Sequence, residues 1–142
     1  MNKFEQGEFY MTTISCTYTG DGETRLVHGP TGSVLETDLP PDNGGKGRRF
    51  SPTDLLASAF ASCVLTIMGK MAAVRKENFE GTQISIDKIM ADKPRRVAEF
   101  VLDVTFPAHF TDAQKKLYLS AVNSCPVHQT LHPDVKVTVN VK

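Results

Sequence analysis

Residues 51–76, SPTDLLASAFASCVLTIMGKMAAVRK, decide how the chain folds. Ser51 is a residue type that caps helices, Pro52 suits a first helical turn, and Asp54 lies near the positive end of the helix macrodipole. Downstream, Leu56, Phe60, Cys63, Ile67 and Met71 recur on one stripe at helical spacing, and alanines fill much of the remaining surface. A long helix is predicted here, buried nearly all round and central to the fold, running to about Lys76 before a break over residues 78–81.

The sequence upstream reads as strands. From Thr13 to Val27, β-branched residues flank Gly20-Asp21-Gly22, which predicts a hairpin, and residues 33–37 predict a third short strand. The segment 39–49, LPPDNGGKGRR, has the prolines, glycines and cations of an exposed loop. Residues 1–12 read as an N-terminal tail or added segment. Downstream of the helix, Thr82–Met90 and Val97–Phe106 alternate apolar and polar residues on either side of Asp92-Lys93-Pro94-Arg95, an antiparallel pair. Thr111 is placed to cap a second helix from Asp112 to about Ser124, and Val135–Val141 alternates strictly as a closing strand. The order of elements predicts an α+β fold with antiparallel sheet, a single domain over residues 13–142.

Composition narrows the function classes. A chain of 142 residues with 40% hydrophobic content is long enough for one real core. Sixteen basic residues balance sixteen acidic ones, so no overall field gathers phosphates, and no nucleic-acid partner is expected. The first residues lack a secretory apolar stretch, and no run approaches the roughly 18 apolar residues of a membrane span. The expectation is a cytoplasmic protein with no membrane partner.

Three cysteines, Cys16, Cys63 and Cys125, are spread along the chain, unlike the dense even sets of small secreted scaffolds. Cys63 lies inside the long helix, where burial disfavours a thiolate, so reactivity there calls for a nearby cation or hydrogen-bond donors. Cys125 precedes Pro126 in SCPVHQTLHP. The residue before a proline is biased away from helix, so the second helix should stop at Cys125 and Pro126 could begin a new turn, turning free backbone N–H groups toward the sulfur and favouring thiolate. Cys125 with His128, His132 and His109 has the residue types of a zinc site but not its paired spacing, and no metal or other cofactor is expected. Cys16, in an alternating strand, reads as a bystander.

SPTDLLASAFASC resembles the helix motif of the OsmC/Ohr family, and CPVHQTL, roughly sixty residues further on, resembles its second-cysteine motif. The flanking elements fit from about Thr13 to the C-terminus. The resemblance implies antiparallel sheets wrapped around two long central helices in an intertwined homodimer. It also implies a stress-response thiol peroxidase that reduces organic hydroperoxides, with Cys63 attacked by peroxide, Cys125 resolving the sulfenic acid through a redox-active disulfide, and an external dithiol reductant. One position departs from the pattern: the best-studied peroxidases of the family carry, after the helix-opening proline, a glutamate paired with an arginine, where this chain has Thr53 and places its acid one later at Asp54. On a helix that side chain points about 100° away. Arg48 and Arg49 are the arginine candidates, with Arg49 preferred. Asp54 and Cys63 are nine residues apart, roughly 13 Å on a continuous helix, so an acid or arginine near Cys63 must come from a folded-over loop or a second chain. The alternative function is a non-catalytic OsmC-like protein that binds a small hydrophobic ligand or senses redox state.

Overall fold

The computed structural model describes residues 10–142, and these group into two compact units that divide after Pro52. Residues 1–9 of the expected tail lie outside the described residues; Tyr10 and Met11 are exposed and outside regular structure.

The first unit is a three-stranded antiparallel sheet of β1 (Ile14–Gly20), β2 (Glu23–His28) and β3 (Val34–Asp38), in that order. The hairpin expected at Gly20-Asp21-Gly22 forms there, with all three residues at positive φ. Cys16 stands exposed on β1 opposite Leu26. The loop after β3 folds on itself around Asp38. This buried carboxylate accepts hydrogen bonds from the Leu39 N–H, from the Arg48 N–H at 2.9 Å and from the Arg48 Nε at 2.8 Å. Arg48 also reaches Asp21, so the loop closes across the hairpin turn. Gly45 is required by the close return of the chain: a Cβ there would lie 1.9 Å from the Leu39 carbonyl oxygen.

The second unit is built on helix α1 (Pro52–Arg75), then β4 (Gln83–Asp92), β5 (Arg95–Thr105), α2 (Asp112–Leu119), α3 (Ala121–Ser124), α4 (Pro126–Thr130) and β6 (Lys136–Val141). The predicted helix start and near-complete length are realised. The helix ends where Lys76 turns left-handed (φ 56°) and the Glu77 N–H bonds back to the Ala72 carbonyl. By length and composition α1 could cross a membrane, which a count of apolar residues had not allowed, because its serines, threonines and glycine interrupt the run without adding charge.

The buried face of α1 differs from the expected stripe. Ala57, Phe60, Ala61, Val64, Met68 and Ala72 are buried, whereas Cys63, Ile67 and Met71 are half-buried and Leu56 is exposed. An all-round apolar helix carries no periodicity strong enough to select its own face. Packing selects it: Phe100, Leu102 and Val104 of β5 join the same core, and the ring of Phe60 meets Phe100 edge-on at 5.6 Å. Among the described residues of the second unit, α1 is therefore covered on one side only.

β4 and β5 pair antiparallel as expected, extending to the turn at Lys93-Pro94. β6, however, runs parallel to β5, from Glu99↔Lys136 to Val104↔Val141, where antiparallel sheet was expected. The reason is the connection. The segment between them carries three helices, long enough to return the chain to the starting end of β5, which a hairpin turn cannot do. The second helix is also broken where one continuous helix was expected. Thr111 and Gln114 form the predicted cap reciprocally, with Gln114 N donating to Thr111 Oγ1 and Thr111 N to Gln114 Oε1. At Ser120 both the N–H and the hydroxyl turn back to the Leu117 carbonyl, and this local competition ends α2 before α3 begins.

Candidate functional site

Cys63 and Cys125 meet in the second unit. The side chain of Cys63, on α1, is a hydrogen-bonding neighbour of the Cys125 thiol. Neither sulfur is in a disulfide. Cys63 is half-buried at the border between the covered face of α1 and the open one, whereas Cys125 has no exposure at all.

The sequence explains how Cys125 arrives there. Cys125 adopts extended backbone (φ −65°, ψ 125°) ahead of Pro126, which opens α4 as predicted. Backbone N–H groups of Val127 and His128 point at its sulfur, also as predicted. The net effect differs from expectation. Burial pushes the Cys125 thiol up from its usual range, the hydrogen bond with Cys63 pushes the same way, and the two N–H groups only partly offset them. Cys125, shielded from solvent, thus holds its proton, with the Cys63 thiol beside it.

His128 is a participant that the sequence reading treated only as a zinc candidate. Its Nδ1 lies 2.8 Å from the Val122 carbonyl oxygen, which requires a hydrogen on that nitrogen, and its ring lies 5.4 Å from the ring of Phe60. The signal available in the sequence was position: His128 and Val122 stand symmetrically three residues either side of Cys125. His109 bonds instead to the Asn78 carbonyl, and His132 lies beside Asp134. Among the described residues no group of three or more His, Cys, Asp or Glu side chains is placed to hold a metal.

The charged candidates are engaged separately. Asp54 accepts a 2.7 Å ion pair from Lys88 of β4, whose ammonium also donates to Thr53 Oγ1 at 2.8 Å. Lys88 thus bridges the position of the missing glutamate and the acid that follows it, a role that an alternating strand gives no hint of. In the first unit Arg49 pairs with Glu23 at 3.2 Å and Glu36 at 2.8 Å, and Arg48 is committed to Asp38 and Asp21.

Two apolar grooves flank the cysteine pair. One, of about 620 Å³, is lined by Leu56 and Ala59 of α1, Val97, Pro126, Val127 and Leu131; Ala59 lies one turn before Cys63. The other, of about 520 Å³, is lined by Ile67, Met71, Leu117 and Ser124 with Lys70 and Arg75 at its edge; Ile67 lies one turn after Cys63. A part-exposed thiol beside a buried one can undergo oxidation at the first and closure to a disulfide with the second.

Comparison with known proteins agrees with this architecture. No curated protein matches the chain. Among solved structures, a Psychrobacter arcticus protein provisionally named for osmotic stress induction and detoxification response is 40% identical, with 96% of this chain and 99% of that one covered and a TM-score of 0.88. An organic hydroperoxide resistance protein OsmC from Legionella pneumophila (20% identity, 95% and 98% coverage, TM-score 0.75) and an organic hydroperoxide resistance protein from Elizabethkingia anophelis (17%, 96% and 98%, TM-score 0.71) share the fold. The family profile described as OsmC-like protein matches residues 45–140, which hold the long helix, both cysteines of the pair and the sheet behind them, and the chain belongs to the OsmC-like protein family.

Proposed function

We propose that this protein is a thiol peroxidase that reduces organic hydroperoxides through Cys63 and Cys125. The observation that carries the reading is the adjacency of the two thiols, one part-exposed and one buried. The Cys63 thiolate attacks the terminal oxygen of the peroxide, the O–O bond breaks, and the alkoxide leaves and takes a proton to become the alcohol. Cys63 is then a sulfenic acid. The Cys125 sulfur attacks it, the S–S bond forms, and the hydroxyl departs as water with the proton of the Cys125 thiol. An external dithiol reduces the disulfide and is itself oxidised. The names of the similar hydroperoxide resistance proteins support the substrate class.

Arg49 enters as the cation that would sustain a Cys63 thiolate, and Asp54 as the acid that would pair with that arginine in place of the glutamate. In a homodimer these charges can come from the second chain, and the open side of α1, with Leu56 38% and Val74 80% exposed, supports such an assembly. The test is consumption of cumene hydroperoxide with dithiothreitol and then dihydrolipoamide as reductant, in wild type and in Arg49→Ala and Asp54→Ala. Turnover abolished by Cys63→Ser supports the reading; an inert wild type with reduced cysteines overturns it. The second reading, a non-catalytic binder of small hydrophobic ligands, draws on the 620 Å³ apolar groove and gains if apolar fluorophores bind while peroxide is untouched.

A further inference from the structure

The elbow that carries Cys125 is held by side chains as well as by backbone, where the Gln129 N–H donates to the Cys125 carbonyl at 3.0 Å. Pro126 has no N–H to give, so the α3–α4 junction lacks a backbone bond at the residue that follows the cysteine. Two side chains bridge it. His128 Nδ1–H donates to the Val122 carbonyl at 2.8 Å, and the Gln129 amide donates to the Asn123 carbonyl. Only His128 also reaches the other cysteine's helix. Its ring lies 5.4 Å from that of Phe60, tilted by 38°. Phe60 is fully buried, locked edge-on against Phe100, and precedes Cys63 by three residues on α1.

We propose that His128 is a positioning residue for disulfide closure: its imidazole pins the Cys125 elbow to the Phe60 turn of α1 and so sets the reach of Cys125 for Cys63. This rests on the two-cysteine reading above. Disulfide geometry is narrow, with the two Cα atoms about 4.4–6.8 Å apart and the S–S bond about 2.05 Å, so a small drift of the elbow separates the sulfurs from bonding geometry without unfolding anything. In this role the imidazole of His128 acts on neither the peroxide nor the leaving hydroxyl. Its loss therefore acts on the second step and leaves the first alone.

Three variants separate ring from donor. Asparagine places an amide nitrogen close to the position of Nδ1, glutamine places it about where Nε2 stood, and phenylalanine keeps the ring with no donor. Reduced protein is mixed with one equivalent of cumene hydroperoxide without reductant and quenched at intervals. Dimedone captures sulfenic acid, N-ethylmaleimide blocks free thiols, and mass spectrometry follows the peptides of Cys63 and Cys125. We expect oxidation of Cys63 within about twofold of wild type in all three. Closure of the disulfide should slow by about tenfold or more in His128→Gln and His128→Phe, in the range that an ångström of misplacement produces, and stay within about threefold in His128→Asn. Equal closure in all variants overturns the proposal, as does equal slowing of both steps, which marks a general loosening of the fold. If wild-type Cys63 ignores peroxide, the peroxidase reading fails, and diamide then drives the same closure so that the role of His128 is judged independently. Should the phenylalanine variant not fold, the comparison of asparagine with glutamine decides.

Discussion

The thiol of Cys125, wholly buried, lies beside that of Cys63, which is half-exposed. The order in which reagents meet the three cysteines follows. Alkylation by iodoacetamide at pH 8 should label Cys16 and Cys63 before Cys125, because Cys125 is shielded and keeps its proton. Its labelling is therefore expected to lag behind that of Cys16 in peptide mass spectra taken over time. Labelling of Cys125 at the rate of Cys16 would contradict the buried pair.

Oxidation should divide the labour between the two. Cys63→Ser should abolish peroxide consumption, since no attacking thiolate remains. Cys125→Ser should permit one attack and then lose protection, so that under excess peroxide the Cys63 peptide gains successive oxygens toward sulfinic and sulfonic acid, while wild type loses two hydrogens across the pair. Oxygen accumulating on Cys125 with Cys63 still reduced would reverse the assigned roles.

Static light scattering should give twice the chain mass at micromolar concentration. Leu56→Glu, on the open side of α1, should shift the protein toward monomer, because a charge there resists burial against a second chain. A wild-type monomer would remove the second chain as the source of charge near Cys63.

Stability should depend on β5 far more than on the outer face of β4. Leu102 is fully buried among Phe60, Phe100 and Val104, and Leu102→Ala should cost about 2–5 kcal/mol by lost transfer energy and the cavity left behind. Ile89, 45% exposed, should cost under about 1 kcal/mol when changed to alanine. Urea denaturation of both variants measures the difference.

The first unit should carry an acid-sensitive lock. The Arg48 guanidinium and backbone N–H hold the Asp38 carboxyl well below the usual carboxylate range. A depressed value means that this stabilisation is complete above the unfolded value, about pH 4, and is lost as pH falls toward the folded value. Asp38→Asn should therefore melt at lower temperature than wild type at pH 7, with the gap narrowing by pH 3, as followed by circular dichroism. A gap that stays constant with pH would show that the carboxylate's charge plays no part.

Elements whose signals are local were legible in the amino-acid order by itself. The Ser51-Pro52 helix start, the Thr111 cap, the Gly20-Asp21-Gly22 turn and the break at Cys125-Pro126 each depend on residues within one turn of one another, and each stands where its residues place it. The two cysteine motifs were legible for the same reason. The buried face of α1 was not, because a helix apolar on every side leaves its orientation to whatever packs on it. The direction of β6 was set by the length of a crossover rather than by the alternation of its residues, which is the same for parallel and antiparallel pairing. The Cys125 proton, the bridge from Lys88 to Thr53 and Asp54, and the span of His128 from Val122 to Phe60 all join residues distant in sequence or depend on burial. Desolvation and hydrogen bonding act through space, so only the folded chain could determine that Cys125 keeps its proton.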